Sequence, residues 1–332
     1  MQNNIDMLKT EDIIEPDVTV IMPCYNSSKY IRETLDSLLN QSYSDFFLMC
    51  IDDSSTDDTM AIIKEYASMD RRIVIIHNDN NGGIAYSRNK GLESAKTKYV
   101  AFVDHDDIMC KDRIKLCHDY LESHDETDIV AGGYVRLAPS GKELAGVGGI
   151  EYTDGQVRGQ MIFKNIIPNG ASMIRRELLV KSGVKFREKY GIEDYDFYTR
   201  LLQTGKTHIL PEIVQKFRIS EEQYTRKCDL DINLRERRNQ CFDNVRKAYL
   251  LENGIALRNI CEQRVLYLLR DDCCIRDLKN KLGYIFALGE LEKKVKHIKT
   301  IDYNIVKNNT SVLKRRLFRS WGKDIFAFLH IV

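Results

Sequence analysis

The chain has 332 residues, with 50 Lys and Arg against 49 Asp and Glu, so its formal net charge is +1. Hydrophobic residues make up 43% of the chain and charged residues 30%, which excludes an intrinsically disordered or collagen-like protein. A charge balance this close to zero also argues against a protein that coats nucleic acid, because neutralising phosphates requires a basic excess. The length predicts about two domains.

The cysteines and the N-terminus favour a cytoplasmic protein. The nine cysteines include no CxxC pair, which indicates reduced thiols rather than a disulfide framework or a zinc site. Residues 1–16 form a polar lead-in without the apolar core of a signal peptide. No stretch approaches the roughly 18 apolar residues that a membrane span requires. We therefore predict a cytoplasmic protein and leave membrane association open.

Residues 17–110 alternate apolar runs with helical patterns. Continuous apolar runs are typical of strands that are buried on both faces of a parallel sheet. Repeated strand–helix–strand units predict a mostly parallel, doubly wound α/β sheet with right-handed crossovers. The predicted strands are 18–22, 46–52, 73–77 and 98–104.

The helices between these strands have recognisable starts. Ser27 or Ser28 is a candidate N-cap for the first helix, and Thr56 is one for the second. The third helix follows the turn at Gly82 and Gly83.

Mixed elements follow in residues 111–219, and the chain becomes helical and more basic over 220–332. A turn at Ser140-Gly141 predicts two strands around it. Residues 194–204 predict a helix that ends at Gly205.

Polar and acidic residues follow each predicted strand of the first half. Ligands of open α/β sheets bind beyond the carboxyl ends of the strands, so these residues are expected to share one site. Carboxylates that converge there are costly without a cation, which favours a divalent metal that also binds a diphosphate. The residues are Pro23, Tyr25, Asn26, Asp52, Asp53, 80–83 and 104–107.

Four segments in register carry a family resemblance. VTVIMPCYN, CIDDSSTDDT, NGGIAYSRNKGLESAKTKYVAFVDHDD and GIEDYDFYTRLL occur in this order within residues 17–219. Together they resemble family 2 glycosyltransferases of the GT-A fold. The resemblance implies a nucleotide-binding half over about 17–110, an acceptor half over about 111–219, and a helical C-terminal extension.

The resemblance also implies donor-binding residues. Pro23, Tyr25 and Asn26 match the segment that lines the base pocket. Asp53 matches the acid that accepts a hydrogen bond from the base, which suits the imide N–H of uracil. Arg88 matches the arginine that faces the ribose and diphosphate. Turn chemistry at Asp53 and a surface position for Arg88 are the simpler alternatives.

Asp104 and Asp106 occupy the DxD position of the family, which implies that they bind Mn²⁺ or Mg²⁺ and that Asp104 also contacts the nucleotide sugar. We interpret His105 between them as a bystander. The alternative is an acidic turn at a strand end.

Asp194 matches the general base that deprotonates the acceptor hydroxyl, and Glu193 is a candidate acceptor contact. The alternative is that both acids only stabilise a helix N-terminus. Residues 169–178 resemble a small-residue segment that family members place beside the donor sugar. The alternative, which is equally open, is that these residues only form the entry to a strand.

Departures from the family refine the prediction. Gln223 and Arg226 match the QxxRW motif of processive members, but Lys227 replaces the tryptophan. At 217–220 the chain lacks a histidine that many relatives have there, so an extra metal contact is not expected. We predict an inverting, non-processive enzyme that moves one sugar from a nucleotide-sugar donor, with a UDP-sugar favoured, to a hydroxyl of a glycan or lipid-linked acceptor in bacterial surface polysaccharide synthesis. A nucleotidyltransferase and a degenerate binding protein of the same fold are the alternatives.

The C-terminal residues concentrate positive charge. Residues 276–332 hold 13 Lys and Arg and 5 Asp and Glu. Leu313, Leu317, Trp321, Ile325 and Phe328 recur at helical spacing. This stripe suits a helix that packs on the catalytic domain, or one that lies on the inner membrane leaflet.

Overall fold

A computed structural model of the protein confirms the predicted α/β class. The structure describes residues 16–146, 148–188, 191–220, 223, 226–227, 230–257, 260–270 and 278–329, with the backbone alone for 260–263, 278–282 and 318–329.

The first half alternates strands and helices as the apolar runs predict. All four predicted strands are present, and each is followed by a helix or a short loop at its carboxyl end. The elements are β1 Val18–Cys24, α1 Ile31–Leu39, β2 Phe46–Asp52, α2 Thr59–Met69, β3 Ile73–His77, α3 Gly83–Ser94, β4 Tyr99–Phe102, β5 Ile108–Met109 and α4 Arg113–Ser123.

The second half starts with mixed elements and ends in helices. A short 3₁₀ turn, Asn169–Ala171, precedes its second strand. The elements are β6 Ile129–Leu137, α5 Asp154–Met161, β7 Ser172–Arg175, α6 Arg176–Ser182, α7 Glu193–Leu201, β8 Thr207–Arg218, α8 Ile232–Glu252, α9 Ile260–Leu268, α10 Leu278–Val295 and α11 Tyr303–Leu329.

One eight-stranded sheet has the order β3-β2-β1-β4-β7-β6-β8-β5. The first four strands pair in parallel, whereas β7 is antiparallel to both neighbours and β5 is antiparallel to β8. Parallel pairing thus dominates the nucleotide-binding half that the resemblance implies, and the remaining strands make the sheet mixed. The chain runs from β1 outward to β3 and then returns to β4 on the other side of β1, which places a topological switch point between β1 and β4.

Alternate side chains of the strands enter two hydrophobic cores. Ile21 and Ile51 contribute to one core, while Val20 and Cys50 contribute to the other. This alternation follows from the two-residue period of a strand. Helices on both faces therefore hold the sheet rigid, so its edge can fix the positions of the residues that follow each strand.

Several predicted element boundaries are wrong. α1 begins at Ile31 without a side-chain cap, so neither Ser27 nor Ser28 caps it. α2 begins at Thr59, where the Asp57 carboxylate, rather than Thr56, accepts a backbone hydrogen bond. These loops make contacts to one another, and those contacts outweigh local capping preferences.

The second half departs from the pattern in two places. The turn before Gly141 leads from β6 to a single bridge between Leu137 and Glu143, not to a second full strand. α7 ends at Leu201, three residues before the predicted end at 204, and Gly205 packs against Leu178.

The C-terminal helices join the core of the sheet. Leu288 of α10 and Val306 of α11 are fully buried, in the same hydrophobic cluster as Phe102 of β4. Leu313 packs against this cluster, and the Lys314 ammonium donates to Glu292 over 2.8 Å. The start of the predicted stripe therefore packs on protein, and its side chains from Trp321 onward lie outside the described residues. The division at residue 219 stays a prediction, because the hydrophobic cluster continues across it.

Packing of α11 on the catalytic core predicts a position-dependent loss of stability. Val306→Ala removes two buried methyl groups and is expected to lower the free energy of unfolding by about 2 kcal/mol. Val312→Ala lies on the same helix at an exposed position and is the matched control. Urea unfolding of both variants tests this, and equal stabilities would show that α11 does not pack as described.

Candidate active site

The candidate site lies at the carboxyl ends of β1, β2 and β4, beside the topological switch point. Pro23 lies near the end of β1, and its carbonyl oxygen is 3.2 Å from His105 Nδ1 beyond β4. Tyr25 follows with 45% of its surface exposed. An exposed aromatic ring at this edge is available to contact a planar ligand.

Strained backbone marks the same edge. Asn26 and Ser54 have φ angles of 47° and 63°, a region that residues other than glycine rarely adopt. The Asn26 side-chain oxygen accepts the Thr56 backbone N–H over 2.9 Å, and the Asn26 N–H donates to Ser55. These contacts hold the loops after β1 and β2 together, and such strain clusters at functional sites.

Asp53 is buried at the start of α3. Its Oδ1 accepts the Gly82 N–H and the Asn78 amide, and its Oδ2 accepts the Gly83 N–H over 2.8 Å. The carboxylate thus stabilises the N-terminus of α3, a contact that the sequence did not reveal. Oδ2 retains a lone pair, because a carboxylate offers about four acceptor positions.

Arg88 is buried rather than exposed, so the surface alternative is wrong. Its guanidinium donates to Asp104 over 2.9 Å and to Glu193 over 3.2 Å, and it lies over the ring of Phe186. One side chain from α3 therefore joins the acid that follows β4 to the acid that begins α7. Burial lowers the pKa of Arg88, but the charges of Asp104 and Glu193 outweigh it and raise the pKa above its ordinary value.

The acids after β4 divide into two kinds. Both oxygens of the fully buried Asp107 accept hydrogen bonds, from the Arg218 N–H and the Gln215 side chain, so Asp107 anchors β8. The Asp106 carboxylate accepts a hydrogen bond from the Gln223 side chain, and Asp104 is partly exposed. Burial raises the pKa of Asp106, with the charge of His105 opposing this effect and the charge of Asp104 adding to it.

Two residues near Asp106 were missed by the sequence analysis. Arg218 is buried, stacks on Tyr30, and donates to the Asp106 carbonyl over 2.9 Å. Gln223 donates to the Asp106 carboxylate and to the Arg218 carbonyl. No local signal in the sequence indicates these long-range contacts, although Gln223 was noted for its family motif.

The carboxylates of Asp104 and Asp106 have surroundings that fit a divalent cation. Hard cations such as Mg²⁺ and Mn²⁺ take oxygen ligands, and a cation would offset the repulsion and desolvation that raise the pKa of Asp106. His105 is directed to the Pro23 carbonyl, as expected of a bystander.

Asp194 lies in the first turn of α7, one residue after Glu193. Its Oδ2 accepts the Asn165 amide over 3.0 Å, and its Oδ1 accepts the Tyr195 N–H. Burial raises the pKa of Asp194 to about 6, with the charge of Glu193 adding to the effect and Arg88 opposing it. A carboxylate whose pKa is raised toward neutral pH suits a general base. The Asn165 side chain fixes the orientation of this carboxylate, and the sequence analysis did not identify Asn165.

Tight packing explains the small residues of 169–178. Gly170 lies so close to the Gln215 side chain that a Cβ would be 2.5 Å from its Nε2. The Ser172 hydroxyl hydrogen-bonds the Tyr198 hydroxyl over 2.6 Å. The segment contacts protein on both sides, which favours the strand-entry alternative for these residues.

Comparison with known proteins identifies the family. A sequence model of the family described as Glycosyl transferase family 2 matches residues 19–182. An uncharacterized glycosyltransferase of Methanocaldococcus jannaschii is 31% identical over 209 residues, which cover 62% of this chain and 71% of that protein. The chain belongs to glycosyltransferase family 2 and is a glycosyltransferase, which sets aside the nucleotidyltransferase alternative.

Two further similarities concern pathway and fold. A putative teichuronic acid biosynthesis glycosyltransferase of Bacillus subtilis, TuaG, is 43% identical over 101 residues, covering 30% of this chain and 40% of TuaG. The solved structure of Staphylococcus aureus TarS 1–349 with UDP-GlcNAc aligns with a TM-score of 0.61 at 20% identity, covering 92% of each chain. The family thus has members named for polysaccharide synthesis, and the fold is GT-A.

The bridge made by Arg88 predicts a large stability effect. Arg88→Met leaves two partly or fully buried carboxylates without their cation and is expected to lower the free energy of unfolding by about 3–5 kcal/mol. Arg32→Met removes an exposed cation paired with Glu65 and should leave stability unchanged. Urea unfolding compares the two, and similar midpoints would mean that Arg88 does not join the two elements.

Proposed function

We propose that this glycosyltransferase moves one sugar from a nucleotide-sugar donor to a hydroxyl of a glycan or lipid-linked acceptor, with inversion at the anomeric carbon. The observation that carries the proposal is the Arg88 bridge, which brings the acids after β4 to the acids that begin α7. Donor-side and acceptor-side groups thereby face a common centre.

The donor occupies the carboxyl ends of β1 and β2 in this proposal. Tyr25 and Asn26 line the base pocket with Pro23, and the free lone pair of Asp53 Oδ2 accepts the base N–H. A UDP-sugar is the favoured donor, since TarS of the same fold was solved with UDP-GlcNAc and a carboxylate matches the uracil imide. Arg88 supplies a fork of donors for diphosphate oxygens.

Asp104 and Asp106 hold Mn²⁺ or Mg²⁺ in this proposal. A bound divalent cation supplies positive charge to the diphosphate as it leaves. Asp104 also contacts the nucleotide sugar in this proposal.

Asp194 acts as the general base. It takes the proton of the acceptor hydroxyl while that oxygen bonds to the anomeric carbon. The bond from this carbon to the diphosphate breaks on the opposite face, and its electron pair leaves with the nucleoside diphosphate. Glu193, held by Arg88, is the candidate acceptor contact.

The lack of the QxxRW tryptophan supports a non-processive enzyme. Among the described residues no helix has the length and apolarity to cross a bilayer. We place the enzyme in the cytoplasm, in surface polysaccharide synthesis as the name of TuaG suggests. Contact of the C-terminal helix with the inner leaflet is a further part of the proposal.

The decisive experiment is a panel of nucleotide sugars with Mn²⁺. Release of nucleoside diphosphate from one donor, accelerated by a glycan acceptor, is expected. Absence of release from every donor in the panel would contradict the proposal and favour a degenerate binding protein.

A substitution at a proposed metal ligand gives a prediction that can be tested separately from donor turnover. Asp106→Ala should weaken Mn²⁺ binding, measured by calorimetry without donor, and slow transfer by about 10²–10⁴-fold because charge on the leaving diphosphate is less stabilised. Asp45→Ala, an exposed acid before β2 at the opposite edge of the sheet, is the matched control. Unchanged Mn²⁺ affinity in Asp106→Ala would refute the metal assignment.

The pKa of Asp194 predicts the pH dependence. Transfer needs the ionised base, so the rate should fall as the pH drops below about 6. Asp194→Asn should keep donor affinity, lose about 10²–10⁴-fold in rate, and lose this acid limb. A pH–rate profile of both proteins checks this, and a parallel loss of donor affinity would make Asp194 a donor ligand instead.

A further inference from the structure

The side-chain amide of Asn165 has a fixed direction beside Asp194. Its oxygen Oδ1 accepts the backbone N–H of Ile167 over 3.1 Å, and its nitrogen Nδ2 donates to Asp194 Oδ2 over 3.0 Å. A backbone N–H can only donate, so it requires the carbonyl oxygen of the amide on its own side. The side of the amide that faces Asp194 is therefore an NH₂ group, which has no capacity to accept a hydrogen bond.

The segment that carries Asn165 is held by two neighbouring helices. The Tyr195 hydroxyl of α7 donates to the Met161 carbonyl. The buried Arg246 guanidinium of α8 donates to the Phe163 carbonyl over 2.9 Å. One of these donors comes from the helix that carries the proposed base, and the other comes from a C-terminal helix. These contacts keep the amide in place.

The hydrogen bond from Asn165 favours the ionised form of Asp194. A protonated Oδ2 would direct its hydrogen at an NH₂ group that cannot accept it, whereas an ionised Oδ2 accepts the amide hydrogen. The Tyr195 N–H donates to Oδ1 over 2.7 Å and also favours the ionised form. Burial and the charge of Glu193 act in the opposite direction and raise the pKa of Asp194 to about 6, with Arg88 opposing them. Asn165 thus counteracts burial without adding a charge.

A cavity of about 270 Å³ opens beside Asp194 and Asn165, next to α8. Each Asp194 oxygen accepts one hydrogen bond within the protein, and a carboxylate offers about four acceptor positions. The carboxylate therefore retains positions for a substrate hydroxyl. The ionisable groups around it, besides Arg88 and Glu193, lie on the catalytic side or around the cavity, and they are Asp104, Tyr195, Tyr198, Lys164, Arg246 and Arg270.

We propose that Asn165 is a positioning residue that holds the Asp194 carboxylate ionised and in one orientation, ready to take the proton of the acceptor hydroxyl. This inference rests on the proposed function, in which Asp194 is the general base. Asn165 takes no proton itself and acts only through Asp194. A residue with a purely structural role would hold its own segment but would not change the ionisation of Asp194.

Asn165→Asp tests the proposal with almost no change of shape. The substituted carboxylate still accepts the Ile167 N–H, but a second acid replaces the donor that faces Asp194. Two carboxyl groups in contact resist ionising together, so the upper titration midpoint of the pair should lie above that of Asp194 in the native chain. Asn165→Ala removes the donor without adding an acid, and it should raise the midpoint by about one pH unit, the size of one hydrogen bond to a charged group. The increase in Asn165→Asp should be the larger of the two.

NMR of the full chain with isotope-labelled aspartate carboxyl carbons measures these midpoints without a donor. The Asp194 resonance is the one that is absent from Asp194→Asn. In the native chain the Asn165 amide protons should titrate with the same midpoint as Asp194, because they contact its carboxylate. Asn40→Asp makes the same change at an exposed position at the end of α1 and should leave the midpoint of Asp194 unchanged. Thermal unfolding checks that each variant is folded.

Transfer kinetics provide a second measurement of the same effect. In Asn165→Ala the acid limb of the pH–rate profile should move upward with the midpoint of Asp194. The rate at high pH should recover toward the native value, and donor affinity should stay unchanged. A loss of rate that is uniform across the pH range would indicate a purely structural residue and would overturn the inference.

An unchanged Asp194 midpoint in a folded Asn165 variant would also overturn the inference, as would native Asn165 amide protons that titrate independently of Asp194. If neither variant folds, the native amide protons decide. Because the NMR titrations need no turnover, the inference can fail while the nucleotide-sugar panel succeeds. The panel can likewise fail while the midpoint of Asp194 still responds to Asn165.

Discussion

The interaction on which the site depends is the pair of ion contacts that Arg88 makes to Asp104 and Glu193. The three residues come from α3, the loop after β4, and α7, elements separated by as many as 105 positions in the chain. Two acids brought near each other at a sheet edge repel, and each loses hydration on burial. A buried arginine between them resolves both problems and fixes their separation. The rest of the candidate site, from Asp194 to the acids after β4, is arranged around this bridge.

The acids around the Arg88 bridge differ in how many of their carboxylate oxygens are hydrogen-bonded within the protein. Asp107 and Asp53 have internal hydrogen bonds to both carboxylate oxygens, so each also fastens a strand or a helix. Among the described contacts, Asp104 and Asp106 each accept a hydrogen bond at one carboxylate oxygen, whereas both oxygens of Asp194 accept one. Burial raises the pKa of Asp106 and of Asp194, and in the proposed function a cation at Asp106 and a substrate hydroxyl at Asp194 offset this cost.

The sequence predicted the parts of the fold that depend on short-range patterns. Four parallel strands follow from continuous apolar runs, and the position of the site follows from the polar residues after them. Helix starts were less predictable, because Asp57 and the loop contacts of Asn26 replace the expected caps. Antiparallel β7, inserted between β4 and β6, has no local signal, since pairing of distant strands is decided by the packing of the whole sheet.

The candidate site likewise combines residues that sequence patterns predict with contacts that depend on long-range packing. Arg88 was predicted through a family motif, but its burial and its bridging contacts arise only when α7 packs beside α3. Asn165, Arg218 and Gln223 were missed as contacts because each meets its partner across long stretches of chain.

A cavity beside Asp194 is lined by Asn239, Phe242 and Arg246 of α8, and this wall has a consequence for how such enzymes diverge. In the proposed function, the residues that face the donor come from the loops after β1, β2 and β4, near the beginning of the chain. The wall opposite Asp194 comes from a helix more than a hundred residues later. In that arrangement, substitutions in α8 change acceptor choice while leaving the donor chemistry intact, so a lineage acquires new glycan products by altering one helix rather than rebuilding its catalytic centre.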